Sequence, residues 1–382
     1  MSRPVDEVIR ELLGPLLEAR PSPSQWKLLS WDVDQGLTLT LERDHRLIMI
    51  EMSVRDTTQP CWAHTERFNI VARRPFADRS PLDSEQVQVV EHFIQLIRAR
   101  EGRLPTFERP QTSRKSVVRE IEVDRVLVAE GAGHYYVNPY VGCMIGCEFC
   151  WAGPNADFSR ALEGLPSLPW GRWVDVKINA PEILRRELAV NAPGIVRMSP
   201  VVTDPYQSLE RTFRITRGCI TAMADAGFSP VILTREGRVV EDIEILKRCP
   251  SAGVGFSIPT DDDSIRAAFE PGGSPIAERL EALQACHAAG LSTFVVVQPV
   301  LPMDPARLVA LVAPYVRAVR IDRMHAVSRM AYLYERAGRL DAMSDAFAAR
   351  LKRELRAGFE ARGVSCDDLD DLGSALKIRR KD

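Results

Sequence analysis

Residues 142–150 read GCMIGCEFC and place Cys143, Cys147 and Cys150 within one short stretch, spaced C-x3-C-x2-C. Thiolates are soft donors that select zinc or iron–sulfur clusters. A structural zinc site wants four ligands, and here the fourth is missing: the nearest histidine is His134, and Cys219 is far off in sequence. Three thiolates on a four-iron cluster leave the fourth iron open to a small molecule. Gly142 and Gly146 suit a loop that bends tightly round such a group. An iron–sulfur cluster is the leading reading, ahead of zinc and of thiols buried without a metal. The other cysteines (Cys61, Cys219, Cys249, Cys286 and Cys366) are too few for a disulfide scaffold and read as free thiols in a reducing compartment.

The loop needs elements to present it. From about residue 121 short apolar strands alternate with amphipathic helices. The strand candidates are 135–137, 195–202, 230–233, 253–258, 293–297 and 318–321; the helical stretches are 182–190, 209–226, 240–248, 275–289 and 304–316. This alternation indicates βαβ units and a parallel sheet. About six units predict an α/β fold with a partial (β/α)6 TIM-like barrel, the alternative being an open doubly wound sheet. In either fold chemistry collects past the C-terminal ends of strands. The cysteines follow the first strand, and by the same rule Tyr206, Gln207, Gln298, Asp322 and His325 face a substrate, with no role assigned to His325. Glu270 and Arg279 read as a structural ion pair.

Residues 1–104 read as an N-terminal α+β module: a helix over 5–19, a hairpin in LTLTLERDHRLIMIEMSV with its turn near Asp44, a strand over 68–71 and a helix over 84–100. Its role is unknown, with packing or dimerisation as the plain reading. Residues 105–120 are polar, basic and Pro-containing, and read as a linker. The core barrel then spans 121–330, followed by a helical C-terminal extension over 331–382.

Several motifs together resemble the spore photoproduct lyase-like branch of the radical S-adenosylmethionine (SAM) superfamily. They are the cysteine loop with Phe149 before its last cysteine, NPYVGC (138–143), VTDPYQSLERTFRITR (202–217), LTREGRVVEDIEIL (233–246), FSIPT (256–260) and FEPGGSPIAERLEAL (269–283). The resemblance covers about residues 125–325. It implies a [4Fe–4S] cluster on Cys143, Cys147 and Cys150, SAM chelated at the open iron, and reductive cleavage to a 5′-deoxyadenosyl radical that abstracts hydrogen from a substrate. It also implies SAM contacts from Thr203-Asp204, which stand where many relatives carry Gly-Gly-Glu, and from Arg235 and Ser257. A flavodoxin or ferredoxin is the implied electron donor.

Departures narrow the chemistry. Val202 stands where the lyases carry a hydrogen-returning cysteine, and after Cys286 only Cys366 remains, too few for auxiliary clusters. The expected substrate is a peptide or small metabolite. The alternatives are a nucleic-acid-modifying lyase relative that uses the basic stretch Arg103 to Arg119, and a non-catalytic metal-binding interaction protein. A net charge of −2 over 382 residues argues against a dedicated duplex binder. The charged N-terminus and the lack of long apolar runs predict a cytoplasmic protein.

Overall fold

A computed structural model of the chain describes residues 26–34, 36–55, 61–74, 80–104, 116–131, 133–198, 202–325 and 327–366, with positions 7 and 9. The helix expected over 5–19 otherwise lies outside the described residues, as do residues 105–115 of the expected linker and the tail beyond 366. The chain divides into two compact units. One comprises residues 1–115, 128–132 and 151–169, and the other residues 116–127, 133–150 and 170–382.

The first unit is built on an antiparallel sheet of β1 (Lys27–Asp32), β2 (Leu37–Arg43), β3 (Arg46–Val54), β4 (Ala63–His64) and β5 (Phe68–Arg73), in the order β1-β2-β3-β5-β4. The hairpin turns through Asp44 and His45, both at positive φ (50° and 62°), as a two-residue turn that follows the strands' right-handed twist requires. The helix Ser84–Arg100 starts at Asp83, whose carboxylate accepts from the backbone N–H groups of Glu85 and Gln86, while Gln86 caps back. That helix buries Val90, Phe93, Ile94 and Ile97.

One element of this unit comes from further along the chain. The helix Ala152–Leu162 begins two residues after Cys150 and places Phe158 and Leu162 in the same hydrophobic core as Phe68, Ile70 and Phe93. The rings of Phe68 and Phe158 lie 4.9 Å apart. Two polar side chains of the helix complete the fit: Asn155 Oδ1 accepts from Val54 N–H (3.0 Å) and Ser159 Oγ from Gly36 N–H (2.9 Å). The module is therefore not residues 1–104 alone, because its core is incomplete without this helix.

The second unit carries two sheets. β6 (Val117–Ile121), β9 (Tyr140–Val141) and β10 (Trp173–Lys177) form a small sheet in the order β6-β10-β9. Residues 117–120 of the expected linker are thus strand, and Arg119 holds Asp175 through two hydrogen bonds of 2.9 and 2.7 Å. The basic stretch accordingly loses Arg119 as a phosphate-binding cation. After β7 (Leu127–Gly131), the main sheet follows the predicted order with parallel neighbours: β8 (His134–Val137), β11 (Ile195–Met198), β12 (Ser229–Thr234), β13 (Gly253–Ser257), β14 (Ser292–Val297) and β15 (Ala318–Ile321). Strands succeeding one another through helices give the partial (β/α)6 barrel that the alternation predicted. Ile195, Val231, Phe294, Val296 and Ala318 pack together on one face of the sheet. By the period-two alternation of a strand, Ser257 shares that face, and Arg235 and Gln298 extend it at the C-terminal ends.

The helix predicted over 209–226 is broken into Glu210–Phe213 and Ile215–Ala226 by Arg214, which sits in the left-handed region. The extension after β15 is helical where described. Its helix Asp345–Glu360 buries Leu351, Leu355 and Phe359, and Ser365 pairs with Ala318 at the edge of the sheet.

Candidate cluster and cofactor site

The cysteine loop leaves β9, which β10 pins through the pairs Val141–Asp175 and Tyr140–Val176. Gly142 has φ +87°, and a Cβ there would lie 2.5 Å from the Trp173 carbonyl oxygen, so only glycine fits. Gly146 meets a second glycine: a Cβ on Gly171 would fall 2.7 Å from the Gly146 Cα. The segment Trp170–Trp173 therefore lies along the loop at two points.

Polar contacts fix the loop from other sides. Gln207 accepts from Met144 N–H (2.8 Å) through Oε1 and donates through Nε2 to Thr203 Oγ1 (2.7 Å). Thr203 Oγ1 donates to the Gly142 carbonyl (2.7 Å). Gly272 N–H donates to the Ile145 carbonyl (2.9 Å) and Glu148 N–H to that of Phe269 (3.3 Å), so FEPGGS packs against the loop backbone. Tyr332 in the extension donates to Glu148 (2.8 Å), and Tyr334 packs edge-on to Phe269.

Cys143 and Cys147 are buried together with Ile145, and Phe149, Cys150 and Trp170 pack against them. Burial pushes the Cys143 thiol up to about 12; burial also raises Cys147 well above its ordinary value, against the opposing charge of Arg235. Arg235 donates from Nε to Glu270 (2.7 Å), and its guanidinium lies 5.8 Å from the Phe149 ring centroid. Glu270 is also paired with Arg279 at 2.7 Å, both side chains fully buried. Burial alone would raise the Glu270 carboxyl, but Arg279 and Arg235 hold it below the ordinary range. Two arginines thus share one carboxylate beside Cys147, and the Asp204 carboxylate also interacts with the charge of Arg235. The expected Glu270–Arg279 pair is present as part of this triad.

Asp204 is 1% exposed. Its carboxylate accepts from Tyr206 N–H (2.9 Å), Thr234 Oγ1 (2.6 Å) and Arg235 N–H (2.7 Å), joining the segment after β11 to the end of β12. Burial raises its carboxyl, and these hydrogen bonds oppose the shift. Ser257 is buried in β13, and its carbonyl accepts from Arg279 Nη1 (2.7 Å).

Some expected substrate residues are committed elsewhere. Gln207 is fully buried against the loop, and Tyr206 donates to Asp242 (2.9 Å) in the interior. Thr203, expected at SAM, spends its hydroxyl on the Gly142 carbonyl. Asp322 and His325 lie 4.0 Å apart after β15, with Arg320 and Lys352 within 3.9 Å of Asp322. Sequence reading passed over Glu236, which accepts from Ser274 Oγ (2.8 Å), and Trp170. Trp170 lies outside the quoted motifs and Glu236 stands within residues 233–246 without a signal of its own; the contacts of both join segments that are distant in sequence.

Three soft thiols with no fourth ligand in the loop suit a cluster, and the Arg235 guanidinium, whose charge acts on Cys147, matches the anionic charge that thiolates bring.

Residues 137–311 match the profile of the Radical SAM superfamily. That stretch of the chain is similar to the radical SAM domain. An uncharacterized protein of Methanocaldococcus jannaschii is 27% identical over 168 residues, 44% of this chain and 61% of its own length. One of Mycobacterium tuberculosis is 32% identical over 174 residues, covering 44% and 50%. A protein of Pseudomonas phage M6, described as a radical SAM Nα-GlyT isomerase, is 26% identical over 166 residues, covering 43% and 33%. The chain spans about half to three-fifths of the length of the first two. Among solved structures, a spore photoproduct lyase variant aligns with TM-score 0.49 and 15% identity over 74% of this chain and 93% of that one. No described helix is long and apolar enough to cross a membrane.

Proposed function

We propose that Cys143, Cys147 and Cys150 hold the [4Fe–4S] cluster of a radical SAM enzyme of the spore photoproduct lyase-like branch. Arg235, Asp204 and Ser257 form the SAM side of the site, and Thr203 acts on it through the loop. The observation that carries this reading is the Arg235 guanidinium, held by Glu270, whose charge acts on Cys147, within a stretch that matches a family using these cofactors. Bound, the cofactors supply a 5′-deoxyadenosyl radical that takes hydrogen from the substrate.

The polypeptide's part is to bind, orient and exclude water. The thiols release their protons on binding iron, and Arg235 offsets the charge that results. Phe149, Ile145 and Trp170 give the loop an apolar wall. The substrate class is a peptide or small metabolite, the reaction is of the lyase or oxidoreductase type, the electron donor is a flavodoxin or ferredoxin, and the compartment is the cytoplasm.

Anaerobic reconstitution tests this: iron and sulfide are quantified per chain, then 5′-deoxyadenosine is assayed after adding SAM and dithionite. The expected result is a four-iron cluster and 5′-deoxyadenosine, with Cys147→Ala losing both while retaining the helical far-UV signal of the parent. Zinc in place of iron, or a cluster inert towards SAM, would overturn the reading.

A further inference from the structure

The Trp170 indole ring packs against the group formed by Cys143, Ile145 and Cys147. Its Nε1 is shielded from solvent, and no hydrogen-bond acceptor reaches it among the described residues. A buried N–H without a partner forfeits its hydrogen bond to water, so such a group is retained at a loss unless something else accepts from it.

The ring's position is fixed by its neighbours. Gly171 touches Gly146 between the first and second cysteines, and a side chain at Gly171 would clash with the Gly146 Cα. Trp170 stands edge-on to Trp173, with ring centroids 6.3 Å apart and planes at 83°, and Trp173 is itself buried over Gly142. Two tryptophans from one short segment therefore flank the loop, and the one against the cysteines has a donor to offer. Sulfur ligands of a cluster accept hydrogen bonds, and such bonds favour the reduced, more negative state.

We propose that Trp170 is a tuning residue: its indole N–H donates to a sulfur of the cluster held by Cys143, Cys147 and Cys150 and raises the cluster's reduction potential. This rests on the cluster reading above. It goes beyond that reading by giving a part to a residue outside the cysteine motif.

The test is a redox titration of the reconstituted protein, followed by the EPR signal of the reduced cluster, for the parent and for Trp170→Phe. Phenylalanine keeps a ring against the cysteines and removes only the donor. At a fixed solution potential the ratio of reduced to oxidised cluster should fall about tenfold, which for one electron is about 59 mV. Iron content should be unchanged. An unchanged potential in a fully loaded variant overturns the proposal and leaves the cluster reading intact, whereas absence of a cluster from the parent overturns both. Should the variant fail to load, the parent decides alone: with 15N placed in the indole rings, pulsed EPR of the reduced cluster should show a nitrogen coupling. Its absence sinks the idea.

Discussion

Glu236 follows Arg235 at the end of β12, and burial together with the nearby Asp204 carboxylate pushes its carboxyl up to about 7. A carboxyl raised on folding is protonated in the folded chain and ionised in the unfolded one between its two pKa values. Stability from this group is therefore full below about pH 4.5 and declines as pH rises to about 7, by on the order of 2–3 kcal/mol. Glu236→Gln should remove that decline, so denaturant midpoints of parent and variant should agree near pH 4.5 and separate at pH 8, the variant being the more stable. Asp204 behaves differently. Truncation to alanine would orphan the Thr234 hydroxyl and the N–H groups of Tyr206 and Arg235, each costing about 1–3 kcal/mol. Asp204→Ala should thus lower the melting temperature before any SAM measurement is possible. The three cysteines stand out in the sequence because their spacing is local. The work of Gln207, Glu236 and Trp170 was not legible there, since each depends on a partner tens of residues away.

At the scale of elements, the strand and helix alternation after residue 121 was readable from apolar period and turn signals, and the main sheet follows it. The small sheet escaped because β6 lies in a stretch rich in Arg and Lys, where charge suggests a solvated linker, and β9 is only two residues long. These minor strands set the entrance and one wall of the cysteine loop. Gly171, just before β10, tests their importance without touching a thiol. Its φ of +83° and the 2.7 Å approach to Gly146 mean that alanine must displace the loop. Gly171→Ala should cost about 1–3 kcal/mol and lower the iron bound per chain after reconstitution. Full loading at parental stability would show that the loop tolerates the shift.

For the whole molecule, a boundary near residue 104 was the natural sequence reading, because composition changes there and the following residues are polar. Composition cannot reveal that a core is completed from elsewhere. Phe158 and Leu162 fill the N-terminal module's interior from beyond the cysteines. Phe158→Ala should cost about 3–5 kcal/mol. A fragment of residues 1–115 should lack the dispersed amide NMR spectrum of a folded domain, and a well-dispersed spectrum from it would refute this account of the core.

The late arrival of that helix also constrains how the protein is made. As the chain leaves the ribosome, its N-terminal portion cannot close on itself when its own strands have emerged, as independent leading domains generally do. It must wait for residues 152–162, and by then the thiols at 143, 147 and 150 are already outside the tunnel. The loop that carries them is not yet held, because Gly171, Thr203, Gln207 and Gly272 lie further along the chain, so the leading module can close while the three thiols still await the rest of their site.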